Sequence, residues 1–196
     1  MNKLKSIAVF CGSSTGNNSV YTEKAKELGI YLGHNKYNLV YGGGNIGLMG
    51  AIATAAINAG SHVTGVLPHF LRKREVGHLA NGELILVDSM HERKQKMEQL
   101  SDGFIAMPGG LGTLDELAEI LTWAQLGLHQ KPIGVYNVNG YFDTLLTLFD
   151  QMVAEGYMKP EYRQMVLEDT TPEGLLTRMS NYSPPPVPKW LKPDQL

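Results

Sequence analysis

Apolar residues fall along this chain in two alternating rhythms. Short continuous runs at positions 6–11, 38–41, 62–67, 83–87, 104–107 and 133–136 have the pattern of strands buried on both faces. Between them the spacing becomes helical. Helices are predicted over 19–35, through the small residues Ala51, Ala53, Ala55, Ala56 and Ala59, and along the polar stretch His91-Glu92-Arg93-Lys94-Gln95-Lys96. A core helix carries Leu114, Leu117, Ala118, Leu121, Ala124 and Leu128, and an amphipathic one spans 141–155. A short strand over 165–167 and a helix opened by Pro172 and running to about 181 complete the pattern. The alternation predicts a mostly parallel sheet flanked by helices, a single Rossmann-like doubly wound α/β domain over residues 1–182. The segment Ser183-Pro184-Pro185-Pro186-Val187-Pro188 cannot hold a helix and opens an extended proline-rich tail, 183–196.

In such sheets ligands bind beyond the carboxyl ends of the strands, so the residues just after each strand matter most. Three of these breaks are rich in glycine: Gly12-Ser13-Ser14-Thr15-Gly16, Gly42-Gly43-Gly44-Asn45-Ile46-Gly47 and Pro108-Gly109-Gly110-Leu111-Gly112-Thr113-Leu114-Asp115-Glu116. The third reads as an anion cradle with a carboxylate at its edge. Glycines let the backbone approach a ligand, and the helix start behind them offers unpaired N–H groups and the positive end of its dipole. Thr113 and Glu116 also fit a capping box, in which both side chains serve only the helix start. The Gly42-x-Gly44-x-x-Gly47 match to a dinucleotide fingerprint is weak: it follows the second strand, and 62–67 holds no acidic residue for a ribose. Gly43 and Gly44 stay candidate contacts for a smaller nucleotide. The absence of a Gly-x-x-x-x-Gly-Lys-Ser/Thr loop argues against a nucleoside triphosphatase.

Seventeen Lys and Arg against nineteen Asp and Glu leave a formal charge of −2, so no global field draws the chain to nucleic acid or a membrane surface. An anion must be bound locally. One cysteine, Cys11, allows no internal disulfide and fits a reducing compartment. The first residues lack the apolar region of a secretion signal and no stretch reaches membrane-spanning length, so a cytoplasmic protein is expected. The six histidines show no ligand spacing, and neither a metal nor a cofactor is expected. Cys11 reads as a small buried residue at a strand end, and Trp123 with Tyr141 and Phe142 as core or subunit interface.

Arg93 and Lys94 sit where a helix begins just past a strand, placed either at the ligand edge or on a solvated face. Glu75 lies in a basic segment, 68–78, read as a loop or short helix over the site; a surface pair with Arg72 or Arg74 is its simpler role. Glu116 is more informative. A carboxylate beside an anion cradle repels the guest, so its presence points to chemistry, with Arg93 or Lys94 as counter-charge.

Taken together, Val9-Phe10-Cys11-Gly12-Ser13-Ser14, Tyr41-Gly42-Gly43-Gly44-Asn45-Ile46-Gly47-Leu48-Met49-Gly50, Met90-His91-Glu92-Arg93-Lys94, the Pro108 to Glu116 motif and Thr122-Trp123-Ala124-Gln125-Leu126-Gly127 resemble the LOG ("lonely guy") family. Its members are cytokinin riboside 5′-monophosphate phosphoribohydrolases, sometimes labelled lysine decarboxylases. The resemblance covers the chain to about residue 181. It implies hydrolysis of the N-glycosidic bond of cytokinin riboside 5′-monophosphate or AMP to free base and ribose 5-phosphate. It further implies Arg93 and Glu116 as the catalytic pair, with Glu75, Lys94, Gly110, Leu111, Gly112, Thr113, Leu114, Asp115, Glu116 and Thr122 in the substrate site. Leu111 stands where many members have tyrosine, and Asp115 where many have glutamate. Thr122, six residues past Glu116, lies about 120° round the helix from it. Together with the homodimers of the family's shorter members, that offset places Thr122 in the neighbouring subunit's pocket. The alternative in another class is a non-catalytic carrier of a nucleotide or phosphometabolite on the same fold. A pyridoxal-dependent decarboxylase finds no support in so short a chain without a separate cofactor domain.

Overall fold

The computed structural model describes residues 4–72 and 82–186. Glu75 and the end of the proline-rich tail lie outside them. Seven strands form one sheet: β1 (Ser6–Phe10), β2 (Asn38–Tyr41), β3 (Val63–Pro68), β4 (Gly82–Val87), β5 (Gly103–Ala106), β6 (Ile133–Tyr136) and β7 (Val166–Asp169). Their order is β4-β3-β2-β1-β5-β6-β7, and every pairing is parallel. The helices are α1 (Ser19–His34), α2 (Gly47–Asn58), α3 (Met90–Gln99), α4 (Leu111–Gln125), α5 (Asp143–Ala154), α6 (Pro160–Arg163) and α7 (Pro172–Ser180).

The pleat sends alternate residues of each strand to opposite faces. Ile7, Val9 and Cys11 join Leu39, Tyr41 and Ile105 in a core under α1, α2 and α7. Ala8 and Phe10 join Val40, Phe104 and Ala106 in a second core under α3, α4 and α5. Because both faces are covered, the inner strands read as apolar runs, whereas the edge strands β4 and β7 carry partly exposed polar residues. Close packing of α1 on α2 rests on small residues: a Cβ on Gly29 or Gly33 would collide with the α2 backbone at Ile52 or Ala59.

The strand order switches direction at β1, whose neighbours are β2 on one side and β5 on the other. The connections leaving β1 and β5 pass to opposite faces, which opens a crevice between the loops that follow them. Two features differ from the expected pattern. The helix expected from 141 starts at Asp143, because Asn137 accepts the Phe142 N–H and donates to Asp143, holding a separate 3₁₀ turn at Val138–Gly140. The short α6, opened by Pro160, carries too few residues for a visible apolar period.

Candidate active site

Helix α4 begins at Leu111, with Gly110 as its N-cap and no side chain bonded to its first N–H groups. Helix α2 offers a contrast. Its first turn is already served, since the Gly12 carbonyl accepts from the N–H groups of Leu48 and Met49 at 3.0 and 3.3 Å. Of the two glycine-led helix starts, only the one at α4 therefore keeps open donors for an anion. A Cβ on Gly110 or Gly112 would meet nothing within 4 Å, whereas one on Gly109 would strike Thr113 and Gly12. The motif thus splits into a packed glycine and two that face open space.

The sequence allowed Thr113 and Glu116 to be a capping box; the structure replaces that arrangement. Thr113 lies inside the helix and Glu116 turns inward to Arg93. A capping arrangement forms instead at the start of α3, where Ser89 accepts the Glu92 N–H and the Glu92 carboxylate accepts from the Asp88 N–H. That anchored start aims the next residue, Arg93, over the sheet edge. Its guanidinium donates through Nη1 to Glu116 Oε1 at 2.7 Å, through Nε to the Val66 carbonyl at 3.1 Å and through Nη2 to the Gly42 carbonyl at 3.3 Å. A Cβ on Gly42 would overlap the guanidinium, so the glycine turn after β2 serves here to admit Arg93.

Arg93 and Glu116 are buried, their side chains 10% and 8% exposed. Burial pushes the Glu116 carboxyl above its ordinary range, and the Arg93 charge and hydrogen bond only partly offset that rise. Glu116 Oε1 takes the Arg93 bond. The pair forms part of the lining of a cavity of about 320 Å³, with Cys11, Gly12, Ser13, Met49 and Leu71 opposite Gly110, Leu111, Gly112 and Thr113. Cys11 is buried at the end of β1 and its thiol is pushed well above the usual range, by burial first and by Glu116 second. Both effects disfavour the thiolate form.

The structure therefore brings Arg93, Gly110, Leu111, Gly112, Thr113 and Glu116 to one cavity. Other candidate residues stand elsewhere. Lys94 is held by Asp115 and Glu119 at 3.0 and 3.1 Å and does not line the cavity. Asp115, 59% exposed, and Leu114 lie on the outer side of α4. Gly43 abuts Leu67 and Leu84, and Gly44 is buried beside it without lining the cavity. Thr122 is exposed and donates to its own Ala118 carbonyl.

Sequence reasoning assigned no role to the carbonyls of Gly42 and Val66, and it did not single out Met49 within the 41–50 motif or Leu71 within the 68–78 segment as cavity walls. It also missed Tyr141. This residue donates through its hydroxyl to the Gly109 carbonyl at 2.6 Å and meets Tyr21 edge-on. Both tyrosines wall an adjoining crevice of about 330 Å³ between the loops after β1 and β5. Phe142 belongs to the core. Among the described residues no cluster of His, Cys, Asp and Glu is arranged to hold a metal ion, and no helix is long and apolar enough to cross a membrane.

A family model described as "Possible lysine decarboxylase" matches residues 49–179. The chain is 48% identical over 182 residues to cytokinin riboside 5′-monophosphate phosphoribohydrolase LOG1 of Arabidopsis thaliana, covering 93% of this chain and 85% of that protein. It is 46% identical over the same length to the probable cytokinin riboside 5′-monophosphate phosphoribohydrolase LOGL2 of Oryza sativa subsp. japonica, covering 93% and 75%. Among solved structures, the molybdenum cofactor binding protein of Rippkaea orientalis superposes with a TM-score of 0.68 at 22% identity, over 92% of this chain and 98% of that one. At that identity the likeness concerns the fold alone. The family match and the level of identity to these plant proteins show that the chain belongs to the LOG family of cytokinin riboside 5′-monophosphate phosphoribohydrolases.

Proposed function

We propose that this protein hydrolyses the N-glycosidic bond of adenine-type nucleoside 5′-monophosphates, releasing the base and ribose 5-phosphate. One observation carries the reading: a buried Arg93–Glu116 pair stands one to two helical turns below the open N-terminus of α4, in the same cavity. The substrate's 5′-phosphate takes the N–H groups around Leu111 and Gly112, where the helix dipole favours an anion. The ribose then lies over Glu116. Its carboxylate stabilises the positive charge that builds on the anomeric carbon as the bond to the base breaks, and orients or deprotonates the attacking water. Oxygen from that water ends on the sugar and one of its protons on the departing base, so the reaction balances with water as sole co-substrate. Arg93 keeps Glu116 charged in spite of its burial.

The test is product analysis. Incubation with AMP, N6-isopentenyl-AMP and other monophosphates is expected to release free base and ribose 5-phosphate from adenine-type substrates. Thermal stabilisation by these nucleotides without any base release would identify a binding protein instead.

The reading extends to a cytoplasmic homodimer with sites at the interface. Supporting it, Thr122 faces away from the Glu116 cavity of its own chain and Leu114 is 36% exposed on the outer side of α4. Thr122→Ala is expected to raise the KM for AMP in a protein that sediments as a dimer; full activity in a monomer would rule the shared site out.

A further inference from the structure

Arg93 and Lys94 are neighbours on α3, and they send their charges to different members of one acidic stretch of α4. Arg93 reaches inward to Glu116, while Lys94 spans Asp115 Oδ2 at 3.0 Å and Glu119 Oε1 at 3.1 Å. The Lys94 side chain is only 9% exposed and that of Glu119 22%. Glu119 Oε2 is buried and has no hydrogen-bond partner among the described residues. Among the described residues Lys94 is thus the one partner of the Glu119 carboxylate.

We propose that Lys94, Asp115 and Glu119 form a charge clamp that holds α4 against α3 and keeps Glu116 ionisable beside Arg93, with Glu119 as a positioning residue for bond cleavage. The inference rests on Glu116 being the acting carboxylate. Its charged surroundings are Arg93 and Lys94 from α3, Asp115 and Glu119 from its own helix and the Cys11 thiol at the end of β1. Two cations thus face three carboxylates. Burial and Asp115 push Glu116 up, and Arg93 and Lys94 pull it down. For Lys94 itself, burial works against the charge, but the bonds from Asp115 and Glu119 outweigh it and hold its pKa above the usual value. Loss of the lysine charge leaves two uncompensated carboxylates: Glu119, poorly solvated at 22% exposure and a turn from Glu116, and the more exposed Asp115 adjacent to it. Lys94 therefore acts on the reaction through charge and helix register, because its ammonium is already committed and does not line the cavity.

The experiment compares pH–rate profiles for AMP hydrolysis by the full chain and by Lys94→Met, Glu119→Gln and the double variant. Lys94→Met is expected to lower kcat about tenfold, to move the acid limb to higher pH and to leave KM within about twofold. Glu119→Gln in that background is expected to recover at least about half of the lost logarithm of kcat, since it removes the orphaned charge. Glu119→Gln alone, nearly isosteric, should move the acid limb to lower pH at unchanged KM. The proposal is overturned if Lys94→Met raises KM with kcat and acid limb unchanged, or if Glu119→Gln neither shifts the profile nor rescues. Should Lys94→Met not fold, the single Glu119→Gln profile decides by the same criterion. Should the native protein release no base from any nucleotide, the hydrolase reading fails by itself. The clamp is then judged by Tm: non-additive shifts for the Lys94 and Glu119 variants support it, and additive shifts overturn it.

Discussion

Glu116→Gln is expected to bind AMP about as tightly as the native protein while losing turnover by about 10²–10⁴-fold. The amide keeps the shape of the side chain and an oxygen that still accepts from Arg93 Nη1, so the cavity and the open start of α4 persist. What disappears is the negative charge. In the proposed mechanism that charge stabilises an oxocarbenium-like ribose, and an amide cannot take a proton from water. The native pH profile supplies a second signature. Burial raises the Glu116 carboxyl and Arg93 restrains it, so activity falls as pH drops through a value above that of an ordinary glutamate. The variant's residual rate should lack this acid limb. Calorimetric binding of AMP and single-turnover release of base measure the two halves. A variant that turns over at the native rate would remove Glu116 from the mechanism; one that no longer binds AMP would make its role structural.

The second large effect is on both activity and stability. Arg93→Met removes the counter-charge of a buried carboxylate and leaves the carbonyls of Val66 and Gly42 without their donor. Breaking a buried pair in this way costs about 3–5 kcal/mol near neutral pH, roughly 6–20 °C in Tm for a chain of this size. The cost depends on pH with a definite sign. Without Arg93 the folded-state pKa of Glu116 rises further above its unfolded value, so, beyond a pH-independent cost at the Val66 and Gly42 carbonyls, the charge part of the penalty is absent below the ordinary carboxylate range. It grows as pH climbs through the raised folded value. The Tm gap between native and Arg93→Met protein is therefore expected to be wider at pH 8 than at pH 5. An equal gap at both would mean that the loss arises from packing rather than charge. In the acidic range, where the variant folds, it should still hydrolyse AMP far more slowly than the native protein, because Glu116 there is largely neutral.

How much of this site was visible in the residues depended on whether a role was local. The Pro108 to Glu116 motif announced itself because a glycine-rich strand end, a helix start and a carboxylate fall together in sequence, and the structure keeps them in one cavity. Competition between capping and chemistry for Glu116 was not resolvable there. A capping box at 113–116 requires the helix to begin at Thr113, and it begins earlier, at Leu111, because the Gly110 backbone already has the extended geometry of an N-cap. The capping arrangement that does form, at Ser89 and Glu92, has the same Ser/Thr-x-x-Glu spacing, so spacing alone does not tell the two apart. Arg93 and Lys94 looked equivalent as neighbours in sequence. A step of about 100° round the helix separates them, which sends one to Glu116 and the other to Asp115 and Glu119.

Hydrophobic rhythm alone determined the parallel sheet, its covered faces and the edge at which a ligand must bind, because a buried strand and an amphipathic helix each impose their own period on the sequence. Local chemistry made the glycine-rich start of α4 legible as a candidate anion site. Only the tertiary structure decided which glycines are open and which are packed, since that depends on what other segment arrives: Arg93 against Gly42, Thr113 against Gly109, and nothing near Gly110 and Gly112. It also decided the partner of Glu116. Ion pairing between α3 and α4 is a contact across 23 positions, and no local preference encodes it.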